Sequence, residues 1–257
     1  MPDRYQFIIK TIKEAGTRLL RARLNKIAVF SKGGDLRNVV TAVDLEINDF
    51  LTKEIKNAYP TEKIFSEEIK TEDLATGDFW SIDPIDGTAN FARNIPHFAV
   101  CLSFVSAGEP IVGAVYNPVT QELFSFEKGE GVFLNGQSLR VSEVNQLSEA
   151  YVLLHIGRLP DVRDWGLDLQ AKLLSRAKKN LNLGSSALDL CFLAAGRVEA
   201  VIYGTLTTQD MAVALAMVRA AGGEVYSLDG LPILLSPEPQ SLIAVNCQSI
   251  FEDIVKQ

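Results

Sequence analysis

The sequence predicts an α/β protein whose α+β first half packs against an alternating α/β second half. Three observations carry this. Helical periodicity dominates the first sixty or so residues, short strand-like runs crowd the stretch up to residue 141, and strands and helices alternate after Ser142. The predicted subdomains are 1–142 and 143–257. No Pro/Ser/Gly-rich tether separates them, which favours one compact unit over two mobile bodies.

The elements follow in order. Across Tyr5–Leu24, Phe7, Ile8, Ile12, Ala15, Leu19 and Leu20 recur at helical spacing. Ser31-Lys32-Gly33-Gly34-Asp35 reads as a mobile loop. Val43–Ala58 reads as a second helix, opened by a cap at Thr41 or Asp44 and stopped by Pro60. Lys63–Ser66 and Asp78–Ile82 are strand candidates ending in Glu67-Glu68 and in Asp83-Pro84-Ile85-Asp86-Gly87-Thr88. Strands are predicted at Phe98–Ser106, Pro110–Asn117 and Glu122–Glu127, with a hairpin turning at Asn135-Gly136. Together they suggest a largely antiparallel sheet. The second half reads as a strand at Tyr151–Ile156, a helix at Asp164–Ala177, Gly184-Ser185-Ser186 leading into a helix at Ala187–Ala195, and a strand at Val198–Tyr203. A helix at Asp210–Ala221 closed by Gly222-Gly223 and strands at Glu224–Leu228 and Leu242–Val245 complete it.

Composition narrows the function. The 257 residues are 47% apolar and 22% charged, with a net charge of −7. An acidic chain lacks the basic face that nucleic-acid polymers need, though a small phosphate ester is compatible with it where cations are bound. No apolar run approaches the roughly 18–20 residues of a membrane span, and no secretory leader is apparent, so a cytoplasmic protein without membrane association is expected. Cys101, Cys191 and Cys247 have no metal-ligand spacing and are expected to be reduced. Only two histidines, His97 and His155, are present; packing or surface roles are expected of them, and a histidine-rich zinc site is not.

The chemistry is carried by acids at the ends of apolar segments: Glu67 and Glu68, Asp83 and Asp86, and Asp210 at a helix start. Acids crowded on one rim repel each other unless cations bind between them, and an all-oxygen set suits Mg²⁺ or Mn²⁺. In Asp83-Pro84-Ile85-Asp86-Gly87-Thr88, two carboxylates and the Ile85 carbonyl can converge on metals, and the N–H groups of Gly87 and Thr88 can hold a phosphate oxygen. The same run also reads as an ordinary turn. Gly184-Ser185-Ser186 is either an anion site at a helix N-terminus or a plain cap, and Asp210 and Asp44 taken alone are equally ambiguous.

In one order, the chain holds Val40-Thr41-x-x-Asp44, Glu67-Glu68, Trp80-x-Ile82-Asp83-Pro84-Ile85-Asp86-Gly87-Thr88-x-Asn90-Phe91, Gly184-Ser185-Ser186-Ala187, Asp210 and Ala221-Gly222-Gly223. This set closely resembles the inositol monophosphatase family of metal-dependent, lithium-sensitive phosphatases, over nearly the whole chain. The resemblance implies a layered αβαβα sandwich, usually a homodimer. It implies two or three Mg²⁺ ions (Mn²⁺ is an alternative) on Glu67, Asp83, the Ile85 carbonyl, Asp86 and Asp210. Asp44 and Thr88 would orient and deprotonate the attacking water near Glu67, and Glu68 would assist a further metal's water shell. Gly87 and Thr88 would meet the phosphate, while Gly184, Ser185 and Ser186 would meet the substrate's alcohol.

The implied reaction is hydrolysis of a small polyol or sugar phosphate, inositol-1-phosphate-like, by metal-activated water. Fructose 1,6-bisphosphate, histidinol phosphate and nucleotide 3′-phosphates are the alternatives within the family, and a non-catalytic regulatory or partner-binding homologue is the alternative outside it. The departures are Gln209 where the family usually has Trp, Tyr203 where inositol-directed members carry Glu, and Leu181-Asn182 where many carry Arg. They bear on substrate recognition and leave the metal set intact. Lys32 and Asp35 lie on the predicted loop, where Asp35 could help hold a third metal.

Overall fold

A computed structural model describes residues 3–24, 29–32, 35–66, 68, 77–157, 160–207, 211–233, 235–236 and 238–256, with backbone alone at 29, 31–32, 35–40 and 160–161. Helix α1 (Arg4–Ala22) starts at Asp3, whose side chain accepts the Tyr5 N–H, and buries Ile8, Ile12, Ala15 and Leu19 along one face. Each of the isoleucine and leucine side chains contributes about 1.5–3 kcal/mol on leaving water. Leu20 falls off that stripe and stays 37% exposed. Strands β1 (Val29–Lys32) and β2 (Asp35–Thr41) pair antiparallel, so Ser31, Lys32 and Asp35 belong to a hairpin where a loop was expected. Helix α2 (Ala42–Ala58) follows directly, with Thr41 as its N-cap.

The main sheet is built from β3 (Lys63–Ser66), β4 (Phe79–Asp86), β5 (Ala99–Ser106), β6 (Glu109–Asn117), β7 (Glu122–Glu127), β8 (Gly131–Leu134) and β9 (Gln137–Ser138), in that spatial order. Only the β3–β4 pairing is parallel; the others are antiparallel. A short helix α3 (Thr88–Ala92), not expected from the sequence, follows β4.

The second half runs β10 (Tyr151–His155), α4 (Pro160–Arg176), β11 (Lys179–Leu181), α5 (Ser186–Ala194), β12 (Ala200–Thr207), α6 (Ala212–Ala220), β13 (Glu224–Tyr226), β14 (Pro239–Val245) and α7 (Gln248–Val255). Its sheet order is β11-β10-β12-β14-β13, with β10 parallel to both neighbours and β14 antiparallel to both of its own. Both β11 and α7 went unread in the sequence: β11 is three residues long, and α7 follows the last predicted strand.

The layers follow from the contacts. Helices α1 and α2 cover one face of the main sheet, α5 and α6 lie between the two sheets, and α4 and α7 cover the outer face of the second. The order is αβαβα. One buried cluster joins Ile8, Ile12, Ile47 and Leu51 to Trp80, Val100 and Leu102. A second fills the middle layer with Leu188, Leu190, Leu215 and Met217 against Val115, Phe124, Val201 and Ala244. A third seats Leu169, Leu173, Ile250 and Ile254 on Val152, Ile202 and Ile243. Sheets buried on both faces read as continuous apolar runs, and β4 is buried at all eight positions. Carboxylates at 83 and 86 on such a strand are therefore costly placements that need a reason.

Candidate active site

The local geometry of β4 explains how two acids three residues apart meet. In a regular strand, side chains alternate faces, so positions 83 and 86 would point oppositely. Asp83 pairs with Cys101 and Asp86 with Ala99, and the register shifts between them. Pro84 has no N–H for the ladder, and the Ile85 N–H turns to Asp83 Oδ1 at 3.0 Å. The bulge re-aims one carboxylate, so both line the same cleft. The predicted tight turn is thus the irregular end of a strand, and the chain turns only at Gly87.

Gly87 sits at φ +87°, and a Cβ there would come within 3.0 Å of the His97 carbonyl oxygen and 3.2 Å of the Ser185 Cβ. Both backbone conformation and space demand glycine. That close approach lets the end of β4 touch the start of α5. Gly184, also at φ +87°, leaves room for Asn90, whose Nδ2 donates to the His97 and Leu183 carbonyls at 2.8 Å each.

Asp44 stands at the start of α2. Its Oδ2 accepts the Thr41 N–H at 2.7 Å and the Thr41 hydroxyl, while the Thr41 hydroxyl accepts from Val43 and Asp44 N–H, a reciprocal capping box. The Thr88 hydroxyl reaches two acceptors, Asp44 Oδ1 at 3.1 Å and the Ile85 carbonyl at 2.9 Å. Burial pushes the Asp44 carboxyl up to about 6, against the bonds from Thr41 and Thr88 that pull it down; Glu68 pushes it further up. Glu68 anchors through its N–H to Ser66 Oγ at 3.3 Å.

Asp86 caps α5 from across the fold. Its Oδ1 accepts the Ser186 N–H at 3.1 Å and the Ser186 hydroxyl at 2.8 Å; its Oδ2 accepts the Ala187 N–H at 3.0 Å and the Ser185 hydroxyl. The helix N-terminus that the sequence left open between an anion site and a plain cap holds the protein's own carboxylate. Burial still pushes that carboxyl above its usual range, with the Asp189 charge adding to it and the Ser185, Ser186 and Ala187 bonds opposing it.

The cleft has a volume of about 260 Å³. It is lined by Asp83, Ile85, Asp86, Gly87, Thr88 and Ser186 together with Thr205, Leu206, Thr207, Met211 and Pro239. A larger groove of about 720 Å³ over α1 is lined by Lys13, Glu14, Arg18 and Arg21 and lacks this convergence of buried acids. Of the predicted site residues, Asp44, Asp83, Ile85, Asp86, Gly87, Thr88 and Ser186 come together here. Ser185 is buried against Asp86, and Gly184 is exposed beside Asn90. Glu67, Asp210 and Gln209 lie outside the described residues, as do the side chains of Lys32 and Asp35. Among the described residues, no cationic side chain hydrogen-bonds Asp44 or Asp86. An oxygen-only set of buried carboxylates in one cleft, with the Ile85 carbonyl beside them, fits a hard divalent cation.

Tyr203, expected beside the substrate, turns its hydroxyl to Asp189 Oδ2 at 2.8 Å. Asp189, fully buried on α5, also bonds His155 Nε2 at 2.7 Å and His97 Nε2 at 3.0 Å. The His155 ring stacks on Tyr203 at 4.2 Å between centroids. Burial pushes the Asp189 carboxyl up, but the bonds from His155 and His97, the His155 charge and the Tyr203 bond outweigh it, and it ends below its usual range. This node went unread. Its only sequence signal was an acid inside the apolar run Ala187-Leu188-Asp189-Leu190-Cys191, in a chain with just two histidines.

A sequence model described as the inositol monophosphatase family matches residues 2–257. The chain is 33% identical over 229 residues to a Thermotoga maritima fructose-1,6-bisphosphatase/inositol-1-monophosphatase, covering 89% of this chain and 86% of that protein. It is 34% identical to a Vibrio cholerae protein named Nus factor SuhB, over 86% of this chain and 84% of that one. The solved structure of a Thermotoga maritima IMPase superposes with a TM-score of 0.88 at 31% identity, covering 99% of this chain and 96% of that one.

Proposed function

The chain belongs to the inositol monophosphatase family and is a phosphoric monoester hydrolase; from that premise we propose that it hydrolyses the phosphate ester of a small polyol or sugar, inositol-1-phosphate-like, with Mg²⁺ as its cofactor. The observation that carries this reading is the placement of the Thr88–Asp44 bond at the rim of the cleft that Asp83 and Asp86 line.

Asp83, Asp86 and the Ile85 carbonyl would hold two or three cations together with Glu67 and Asp210, and Mn²⁺ could replace Mg²⁺. Bound cations would supply charge to the phosphate oxygens, acidify the attacking water and stabilise the leaving oxygen. The chain's own groups do the rest. Asp44, buried and raised towards neutrality, is suited to hold and release a proton through the Thr88 hydroxyl. Glu68 is the further acid on that side. Gly87 and Thr88 line the cleft, where their N–H groups would meet a phosphate oxygen, and Ser186, which also lines it, would meet the alcohol. The cleft volume suits one small ester.

Phosphate release from inositol 1-phosphate, fructose 1,6-bisphosphate, histidinol phosphate and adenosine 3′,5′-bisphosphate, each with and without Mg²⁺ and with lithium added, tests the proposal. Metal-dependent, lithium-inhibited release led by inositol 1-phosphate supports it. A different favourite moves the substrate within the family, and no release from any ester defeats the proposed substrate class. Sedimentation and fractionation test the accompanying expectation of a cytoplasmic homodimer; no helix among the described residues is long and apolar enough to cross a membrane.

The relatives named Nus factor SuhB favour a second reading, a regulatory or partner-binding role. A catalytically dead Asp83→Asn chain that retains its cellular role would support it.

A further inference from the structure

An ionised carboxylate offers about four acceptor positions, two per oxygen. Asp86 has all four engaged: Oδ1 by the Ser186 N–H and hydroxyl, Oδ2 by the Ala187 N–H and the Ser185 hydroxyl. A cation approaching from the cleft must displace one of these donors. The two N–H groups are fixed by the first turn of α5. Ser185 is buried and does not line the cleft. Ser186 does line it, is only partly buried, and has a second acceptor within reach, Met211 Sδ at 3.1 Å.

We infer that the Ser186 hydroxyl and a divalent cation compete for Oδ1 of Asp86, so that this hydroxyl opposes metal binding and swings towards Met211 or the cleft when the cation arrives. The inference rests on the reading of Asp86 as a metal ligand. It makes Ser186 a positioning residue whose effect has an unusual sign: supporting bonds to ligands ordinarily raise metal affinity, whereas this one lowers it.

The test is calorimetric titration of the full chain with Mn²⁺ alone, without substrate. Ser186→Ala should bind about threefold to tenfold more tightly than the parent, the range expected for one net hydrogen bond. Ser186→Thr, which restores a hydroxyl, should return to the parent affinity, and Ser186→Gly guards against a packing effect of the alanine methyl. Equal or weaker binding in both Ser186→Ala and Ser186→Gly, with the parent binding normally and Asp83→Asn not binding, overturns the competition and leaves the metal reading standing. A parent chain that does not bind Mn²⁺ at all overturns both.

Discussion

Asp86 and Asp189 are buried carboxylates that meet the same helix and titrate in opposite directions. Asp86 reaches the N-terminus of α5 from β4, while Asp189 sits on α5 one turn further in. Among the described residues Asp86 is served only by hydroxyl and backbone N–H donors, and burial wins: its carboxyl is raised. Asp189 is gripped by two imidazoles and a phenol, and those donors win: its carboxyl is lowered. The acid facing the cleft lacks cationic partners among the described residues, which leaves an electrostatic deficit that a cation can fill. The acid behind it is compensated within the protein and does the work of a staple, since His97 comes from the main-sheet half and His155 and Tyr203 from the second sheet. A buried carboxylate thus marks a reactive site only when its charge is left unbalanced.

The comparison can be broken most forcefully at the cleft. Asp83→Asn should lower Mg²⁺-dependent phosphate release at least about a hundredfold, while the metal-free protein melts at the same temperature or higher, because a buried charge has been removed. A loss of activity that merely follows unfolding would void the distinction. At the staple the pattern should invert. Asp189→Ala leaves two histidines and a tyrosine without their acceptor, costing about 3 kcal/mol and roughly 6–12 °C in Tm, with Mn²⁺ still bound at saturating concentration.

Acidity sharpens the contrast. Asp44, raised to about 6, holds its proton more tightly folded than unfolded. Its contribution therefore favours the fold at low pH and is lost as pH rises from about 4 through 6, amounting to roughly 2–3 kcal/mol. Asp189 has the opposite sign: its contribution is present above the ordinary carboxylate range and is lost as pH falls through its depressed value. Denaturant melts in EDTA should show Asp44→Asn losing the first dependence between about pH 4 and 7 and Asp189→Asn losing the second below about pH 4. The smallest effect is at Tyr203. Tyr203→Phe removes one of three donors and should cost about 1 kcal/mol without altering which ester is preferred; an altered preference would return Tyr203 to the substrate wall. Tyr203→Glu sets a second carboxylate against Asp189 and should destabilise more.

Much of the fold was legible because the relevant signals are local. The heptad-like stripe of Ile8, Ile12, Ala15 and Leu19, the Thr41 cap and the Asn135-Gly136 turn each act within a few residues. The antiparallel pairing of 29–32 with 35–41 was not legible, since a glycine-bearing polar break reads as a loop whether or not the chain on either side of it pairs. In the site, the acids and the chance of their converging were visible, but the means was not: a tight turn was expected where the structure has a bulged strand end. Asp83 and Asp86 share a cleft because a bulge cancels the alternation of the strand. Ser185 and Ser186 serve Asp86 because Gly87 admits a close approach from about a hundred residues away in sequence.

The sequence by itself carried the resemblance to the family, the α/β class and the positions of the candidate acids, because those depend on residue type, spacing and order. The tertiary structure decided which acid is compensated and which is left open, which serine is buried and which faces the cleft, and that the two histidines converge on Asp189. Those outcomes depend on which distant donors reach each oxygen, and long-range hydrogen bonds and desolvation leave no periodic trace along a chain.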